Sequence, residues 1–202
     1  MKTILYLCLV LSAAGAAFGQ TNFFTPMKGS ATPEFETSNE TGRCLVFGKN
    51  IVKTIQSEDG GENVQLWHRE GTAKGMDACE LRKKPYATIN DSDNNSFYGI
   101  SAVYFFIDQG TSSGSRTLAV YRTGVGDEVT TVGYYGNGTE PRIEAARYLY
   151  YDAISNKKGT VCKDAAKWKR QGGGVAWVQG KKMDLDDQTI ENVGTLRCVY
   201  ME

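Results

Sequence analysis

Apolar and polar positions alternate along most of this chain with a period of two, the spacing of a half-buried strand. The runs that carry the pattern are 43–53, 63–70, 79–89, 97–108, 116–123, 128–135, 143–153, 174–180 and 195–201. Turn-forming clusters separate them: Glu58-Asp59-Gly60-Gly61, Asn90 to Ser96, Gln109 to Ser115, Gly124 to Asp127, and Gly136-Asn137-Gly138. An Asn-Gly pair between two aromatic-rich runs is a strong hairpin signal. The runs between 97 and 153 therefore read as an up-and-down antiparallel meander. Helical spacing is confined to 161–170 and 183–193, the second with Asp184 as its cap.

Short strands joined by hairpins must hide their edges, by closing into a barrel or by forming a two-sheet sandwich. A sandwich with Greek-key crossovers needs long connections that this spacing lacks, so the expected fold is mainly β, an antiparallel up-and-down β-barrel with one or two short helices. The segment 20–42, with Pro26 and Pro33, reads as an irregular arm, and 43–202 as one barrel domain.

Two runs are apolar on both sides. Ile100, Ala102, Tyr104 and Phe106 alternate with Val103, Phe105 and Ile107, and Leu118 and Val120 alternate with Ala119 and Tyr121. In a barrel one side would face the lumen and the other would lie under a helix or the arm. The stretch RIEAARYLYYDA (142–153) sends mixed signals, with helix formers in its first half and strand-preferring tyrosines in its second. Read as a strand, it puts Glu144, Ala146, Tyr148, Tyr150 and Asp152 on one side and Ile143, Ala145, Leu149 and Tyr151 on the other. The tyrosine side is either a wet outer surface or the wall of a pocket. The pocket reading groups Trp67, Tyr104, Tyr121, Tyr134, Tyr148 and Tyr150 as apolar walls, with Glu144 or Asp152 to pair a cationic ligand.

The first residues, MKTILYLCLVLSAAGAAFGQ, set one lysine before an apolar run. Ala17-Phe18-Gly19 supplies small residues for cleavage, so 1–19 reads as a secretory signal peptide. No later stretch approaches the roughly 18 apolar residues of a spanning helix. The full chain balances 23 basic against 23 acidic groups, which offers no electrostatic footprint for nucleic acid. Without the signal, Cys44, Cys79, Cys162 and Cys198 remain, an even number that in an oxidising compartment implies two disulfides. Three connectivities are possible. Cys44–Cys198 with Cys79–Cys162, which ties both ends of the chain to its body, is the expected one. Asn39, Asn90, Asn94 and Asn137 each open an N-x-S/T sequon in a polar, turn-like context, as in a secreted glycoprotein.

Catalytic chemistry finds little footing. His68 is the one histidine, which excludes HExxH. Gly110-Thr-Ser-Ser-Gly114 spells GxSxG, but in a hairpin loop and with that histidine upstream, against the α/β-hydrolase order. Asp91 to Asn95 lacks the glycine and glutamate of a calcium loop. No metal or cofactor motif is present, and the chain reads as non-enzymatic.

The C-terminal half resembles the salivary lipocalins of ticks, the histamine-binding-protein-like group. The residues that carry the likeness are 147–152 (RYLYYD) leading to Cys162, Val175-Ala176-Trp177-Val178, the 183–193 turn, and Arg197-Cys198-Val199-Tyr200, with Arg43-Cys44-Leu45-Val46 as an early cysteine strand. The arm before Cys44 is shorter than that family's, the G-x-W of ordinary lipocalins is absent, and Cys79 lies early. The resemblance implies a lipocalin-like barrel that captures a small host mediator, a biogenic amine or lipid, or antagonises a host immune protein. Two expectations follow: a secreted binder of a small amine or lipid in a barrel pocket, or an extracellular module that engages a cytokine, complement component or receptor through its outer surface.

Overall fold

The computed structural model describes residues 24–201 except Asp59, Thr72, Leu81, Arg82, Ser92, Asp93 and Ser113; the signal peptide lies outside these residues. Thirteen strands and two short helices follow one another as β1 (Phe35–Asn39), β2 (Gly42–Val46), β3 (Asn50–Gln56), β4 (Glu62–His68), α1 (Gly75–Cys79), β5 (Ala87–Ile89), β6 (Ser96–Ile100), β7 (Tyr104–Gln109), β8 (Ser115–Arg122), β9 (Glu128–Tyr135), β10 (Arg142–Glu144), β11 (Tyr148–Ile154), α2 (Ala165–Arg170), β12 (Gly174–Asp184) and β13 (Ile190–Met201). They form three antiparallel meanders: an N-terminal sheet β1–β5, a central sheet β6–β9 and a C-terminal sheet β10–β13.

The chain is mainly β with two short helices and two disulfides, as the alternation predicts, but its strands form three open sheets and not one closed cylinder. The two-sided apolar runs explain the difference. Tyr104, Phe106, Leu118 and Val120 enter one core with Ile143, Leu149, Tyr151 and Met183 of the C-terminal sheet. Phe105, Ile107, Ala119 and Tyr121, pointing the other way, enter a second core with Leu45, Val52, Val64 and Leu66 of the N-terminal sheet. Both faces of the central sheet are thus filled with side chains from a neighbouring sheet, and neither is the wall of an open lumen.

Segment 24–34 laces the sheets together and covers an edge. Met27 N–H donates to the Tyr98 carbonyl at 2.8 Å and Ala31 N–H to that of Ile100 at 2.7 Å, while Ile143 N–H donates back to Lys28 at 3.0 Å. Gly29 makes the crossing possible: at φ +84° it sits so close to β10 that a Cβ would lie 1.9 Å from the Ile143 carbonyl oxygen. The region read as an irregular arm therefore includes β1 and a strap between sheets.

Several long runs prove to be two elements. Residues 43–53 bend at Phe47, whose N–H bonds the Asn50 carbonyl at 2.8 Å. Residues 97–108 break at Ser101, whose Oγ accepts the Tyr104 N–H at 3.0 Å and caps the turn. Residues 79–89 hold the end of α1 and the short β5. The expected helix over 183–193 is instead the end of β12, a tight turn and the start of β13; Asp184 does cap that turn, accepting the Asp186 N–H at 3.0 Å, but the strands of the long hairpin take the residues on either side. Of 161–170 only Ala165–Arg170 is helical.

The disulfides join Cys44 to Cys79 and Cys162 to Cys198, with Cα atoms 6.2 and 5.7 Å apart. The expected long-range pairing is corrected. Each bridge instead ties a short helical segment, or the residues just before it, to the sheet beside it. Cys79 and Ala78 of α1 cover Cys44, Val46, Ile51 and Trp67, and the other bridge holds the segment before α2 on β13. Among the described residues no helix is long and apolar enough to cross a membrane.

Candidate binding site

The mixed stretch 142–153 resolves into a hairpin. Its helix formers make the turn: Arg147 N–H donates to the Glu144 carbonyl at 3.1 Å, and the two central residues, Ala145 and Ala146, take φ +51° and +50°. Such a turn matches the twist of paired strands, though it is normally built from Asn and Gly. The alternation expected for the strand holds. Leu149 and Tyr151 point into the core, and Tyr148 and Tyr150 lie half-buried on the opposite, outer face.

Register then decides what the tyrosines meet. Arg142 and Lys182 flank Tyr150 on the neighbouring strands, Asp184 is the partner of Tyr148, and Gly180 is that of Asp152. The Arg142 guanidinium sits 4.2 Å from the Tyr150 ring centroid, and Lys182 Nζ lies 4.4 Å from that of Tyr148. Arg147 covers the same ring at 5.3 Å and holds Asp184 through two hydrogen bonds from Nε, at 2.8 and 2.9 Å. Glu144 is exposed and paired with Arg142 at 3.0 Å. The tyrosine face is therefore an outer surface laced with cations.

A bulge dents this face. Between the pairs Gly180–Val193 and Val178–Arg197, one residue of β12, Gln179, stands opposite three of β13. Gln179 Nε2 donates to the Val193 carbonyl at 3.1 Å, and Gly194 takes φ +70°. The result is a depression of about 390 Å³ with Gly180 and Gly194 in its floor, Tyr150 as a wall, and Arg142, Asp152, Thr195 and Arg197 around it. Asp152 is 4 % exposed. Burial alone would raise its carboxyl, but the Thr139 N–H at 2.8 Å and the Arg197 guanidinium outweigh burial and hold it below its ordinary value.

The remaining expected pocket residues are elsewhere. Tyr104 and Tyr134 are sealed in the core shared with the C-terminal sheet, at 1 % and 4 % exposure, and Tyr121 in the opposite core, stacked 5.0 Å from Phe105. Their hydroxyls are used structurally: that of Tyr104 donates to Asp186 at 2.9 Å, and that of Tyr134 to Asp108 at 2.8 Å. Trp67 lies under α1 and donates from Nε1 to the Lys83 carbonyl at 2.8 Å. It forms part of a second cleft, of about 380 Å³, with Ile51, Ala73, His68 and Tyr86. His68 is exposed on its strand and stacks on Tyr86 at 4.5 Å. So Tyr148, Tyr150, Glu144 and Asp152 come together, while Trp67, Tyr104, Tyr121 and Tyr134 do not join them. Arg142, Gly180 and Arg197 escape a reading by strand alternation because their role depends on cross-strand register and on the bulge.

Asn39, Asn90 and Asn137 are exposed, at the end of β1, after β5 and in the β9–β10 turn, while Asn94 is half-buried. Compared with protein-family models, curated proteins and solved structures, the chain matches none.

Proposed function

We propose that this chain is an exported, non-enzymatic glycoprotein that recognises an extracellular protein through the outer face of its C-terminal sheet. The observation that carries the reading is the row formed by Tyr148 and Tyr150, half-exposed and overlain by Arg142, Arg147 and Lys182. Tyrosine and arginine dominate the energetics of protein recognition, because they present large, stiff, amphipathic surfaces at low entropic cost. Two disulfides and the sequons in exposed turns support an extracellular setting. The test is surface plasmon resonance of the secreted chain against purified extracellular immune and haemostatic proteins. A binder is expected that loses at least tenfold in affinity with Tyr148→Ala/Tyr150→Ala. Affinity indifferent to that double change overturns the reading.

One observation favours a second reading, in which a small amine or lipid mediator is captured, as the salivary-lipocalin resemblance implies. The Trp67 cleft is the more apolar of the two depressions and has an indole and a stacked imidazole–phenol pair in its walls. Tryptophan fluorescence with a panel of biogenic amines and fatty acids tests it. A saturable signal abolished by Tyr86→Ala supports capture, and a flat panel removes it.

A further inference from the structure

We propose that the bulge depression on the tyrosine face is a binding site for an acidic saccharide, a pyranose ring bearing a carboxylate. The inference rests on the reading of that face as a recognition surface and supplies the chemistry of one of its contacts.

Shape comes first. The bulge removes one cross-strand pairing and leaves open space over Gly194, whereas the place of a side chain at Gly180 is filled by the Val193 carbonyl, 2.6 Å from where a Cβ would lie. The space of about 390 Å³ is open to solvent on the outer face and walled on one side by the Tyr150 ring. Arg142 stacks on that ring at 4.2 Å, so ring and guanidinium are held together as a stiff wall.

Charge comes second. The charged side chains that line the depression are Arg142, Lys181, Arg197 and Asp152, three cations against one carboxylate. Lys181 is turned to Asn192, with its Nζ 2.6 Å from Oδ1, so the field in the depression belongs mainly to the two guanidiniums. Arg197 is paired with Asp152 and Arg142 with Glu144 through Nε, and a guanidinium carries five N–H donors, more than one such pair consumes. An anion is therefore the favoured guest, and a carboxylate fits the planar donor fork of an arginine.

The neutral groups narrow the class. A bare inorganic anion would use the guanidiniums and leave the phenol wall and the Thr195 hydroxyl without a role. A lipid would find too polar a lining. A sugar ring fits this lining: its apolar C–H face lies against Tyr150, a hydroxyl bonds Thr195, and its carboxylate meets the arginines.

The experiment is saturation-transfer NMR and calorimetry on the intact secreted chain, with glucuronic acid and N-acetylneuraminic acid as probes and glucose and sodium sulfate as controls. Either acidic sugar is expected to bind at least tenfold more tightly than glucose. Arg142→Gln and Thr195→Trp, one removing charge and one filling space, are each expected to weaken binding at least tenfold, with Lys84→Gln, at a lysine that lines the Trp67 cleft, as an unaffected control. The inference is overturned if glucose binds as well as the acidic sugars, if sulfate alone binds, or if both depression variants retain wild-type affinity. A protein partner that depends on Tyr148 and Tyr150 but is indifferent to saturating glucuronic acid would sink this inference alone. Absence of any such partner, with acidic sugar still bound, would sink the protein-recognition reading and leave the saccharide site standing.

Discussion

Arg142 and Tyr150 stand directly opposite each other on β10 and β11, with the guanidinium 4.2 Å from the ring centroid. The pair ties the three-residue β10 to its neighbour on a face with little apolar cover. Exposed cation–π contacts contribute about 0.5–1 kcal/mol. A double-mutant cycle of Arg142→Ala and Tyr150→Ala, read by urea unfolding, is expected to return a coupling of that size. A coupling of zero would mean that the stack makes no contribution to stability.

The turn next to this pair is strained. Ala145 and Ala146 both hold φ near +50°, where an L-residue with a Cβ pays about 1–2 kcal/mol and asparagine or glycine pays less. Ala145→Asn/Ala146→Gly is expected to raise stability by about 1–2 kcal/mol and to raise Tm, at about 2–4 °C per kcal/mol for a domain of this size. A drop in Tm would show that the alanines favour some other turn.

This turn also shows where a reading of the sequence stops. The strand content, the inward Leu149 and Tyr151 and the outward Tyr148 and Tyr150 follow from a period of two, which is local. The identity of the layer covering each face is not local. Phe105 and Phe106 are equally apolar, and only the tertiary fold sends one to the N-terminal sheet and the other to the C-terminal sheet. A barrel satisfies the same alternation. The helix expected at 183–193 fails for a related reason: Asp184 caps a turn, accepting the Asp186 N–H at 3.0 Å, but the residues after that turn pair with β12 as β13. The site suffers most, because its depression is made by a mismatch of register between β12 and β13 that leaves no compositional mark beyond Gly180 and Gly194.

Cysteine pairing is another non-local property, and it has a direct check. A non-reducing digest is expected to yield linked peptides containing Cys44 with Cys79 and Cys162 with Cys198. Closing loops of sequence separation 35 and 36 restricts the unfolded chain, so replacing either pair by alanine is expected to cost about 2–4 kcal/mol. Loss of the first bridge should also perturb the near-ultraviolet signal of Trp67, which lies in the core beneath α1.

Asp108 is the hub of a buried polar group in the central sheet, bonded by Tyr134 at 2.8 Å and by Arg116 through two nitrogens. Removing it strands a guanidinium and a phenol at once, so Asp108→Ala is expected to cost about 3–5 kcal/mol. Tyr134→Phe leaves the ion pair intact and is expected to cost about 1 kcal/mol. Burial, with the Asp108 carboxylate second, pushes the Tyr134 hydroxyl above the ordinary phenol range, and burial raises that of nearby Tyr98 to about 12. In an alkaline absorbance titration both should stay protonated until the fold opens. A Tyr134 that ionises near pH 10 in the folded protein would contradict this arrangement.

Asp152 gives the fold an acid-sensitive contact with a definite sign. Its carboxyl is held below its ordinary value because the Thr139 N–H and Arg197 together outweigh the cost of burying it. A carboxyl depressed in the folded state contributes stability above its unfolded value of about 3.9, and that contribution is lost as pH falls through the lower folded value. Asp152→Asn keeps the shape but forfeits the charge, so at pH 7 it is expected to be less stable than wild type by about 1–3 kcal/mol. As pH falls below that unfolded value the unfolded chain binds its proton first, the stabilisation shrinks and the two proteins should converge. Urea unfolding of both at pH 7, 5 and 3 measures the gap. A gap that stays constant down to pH 3 would show that shape and not charge holds Thr139 and Arg197 around this position.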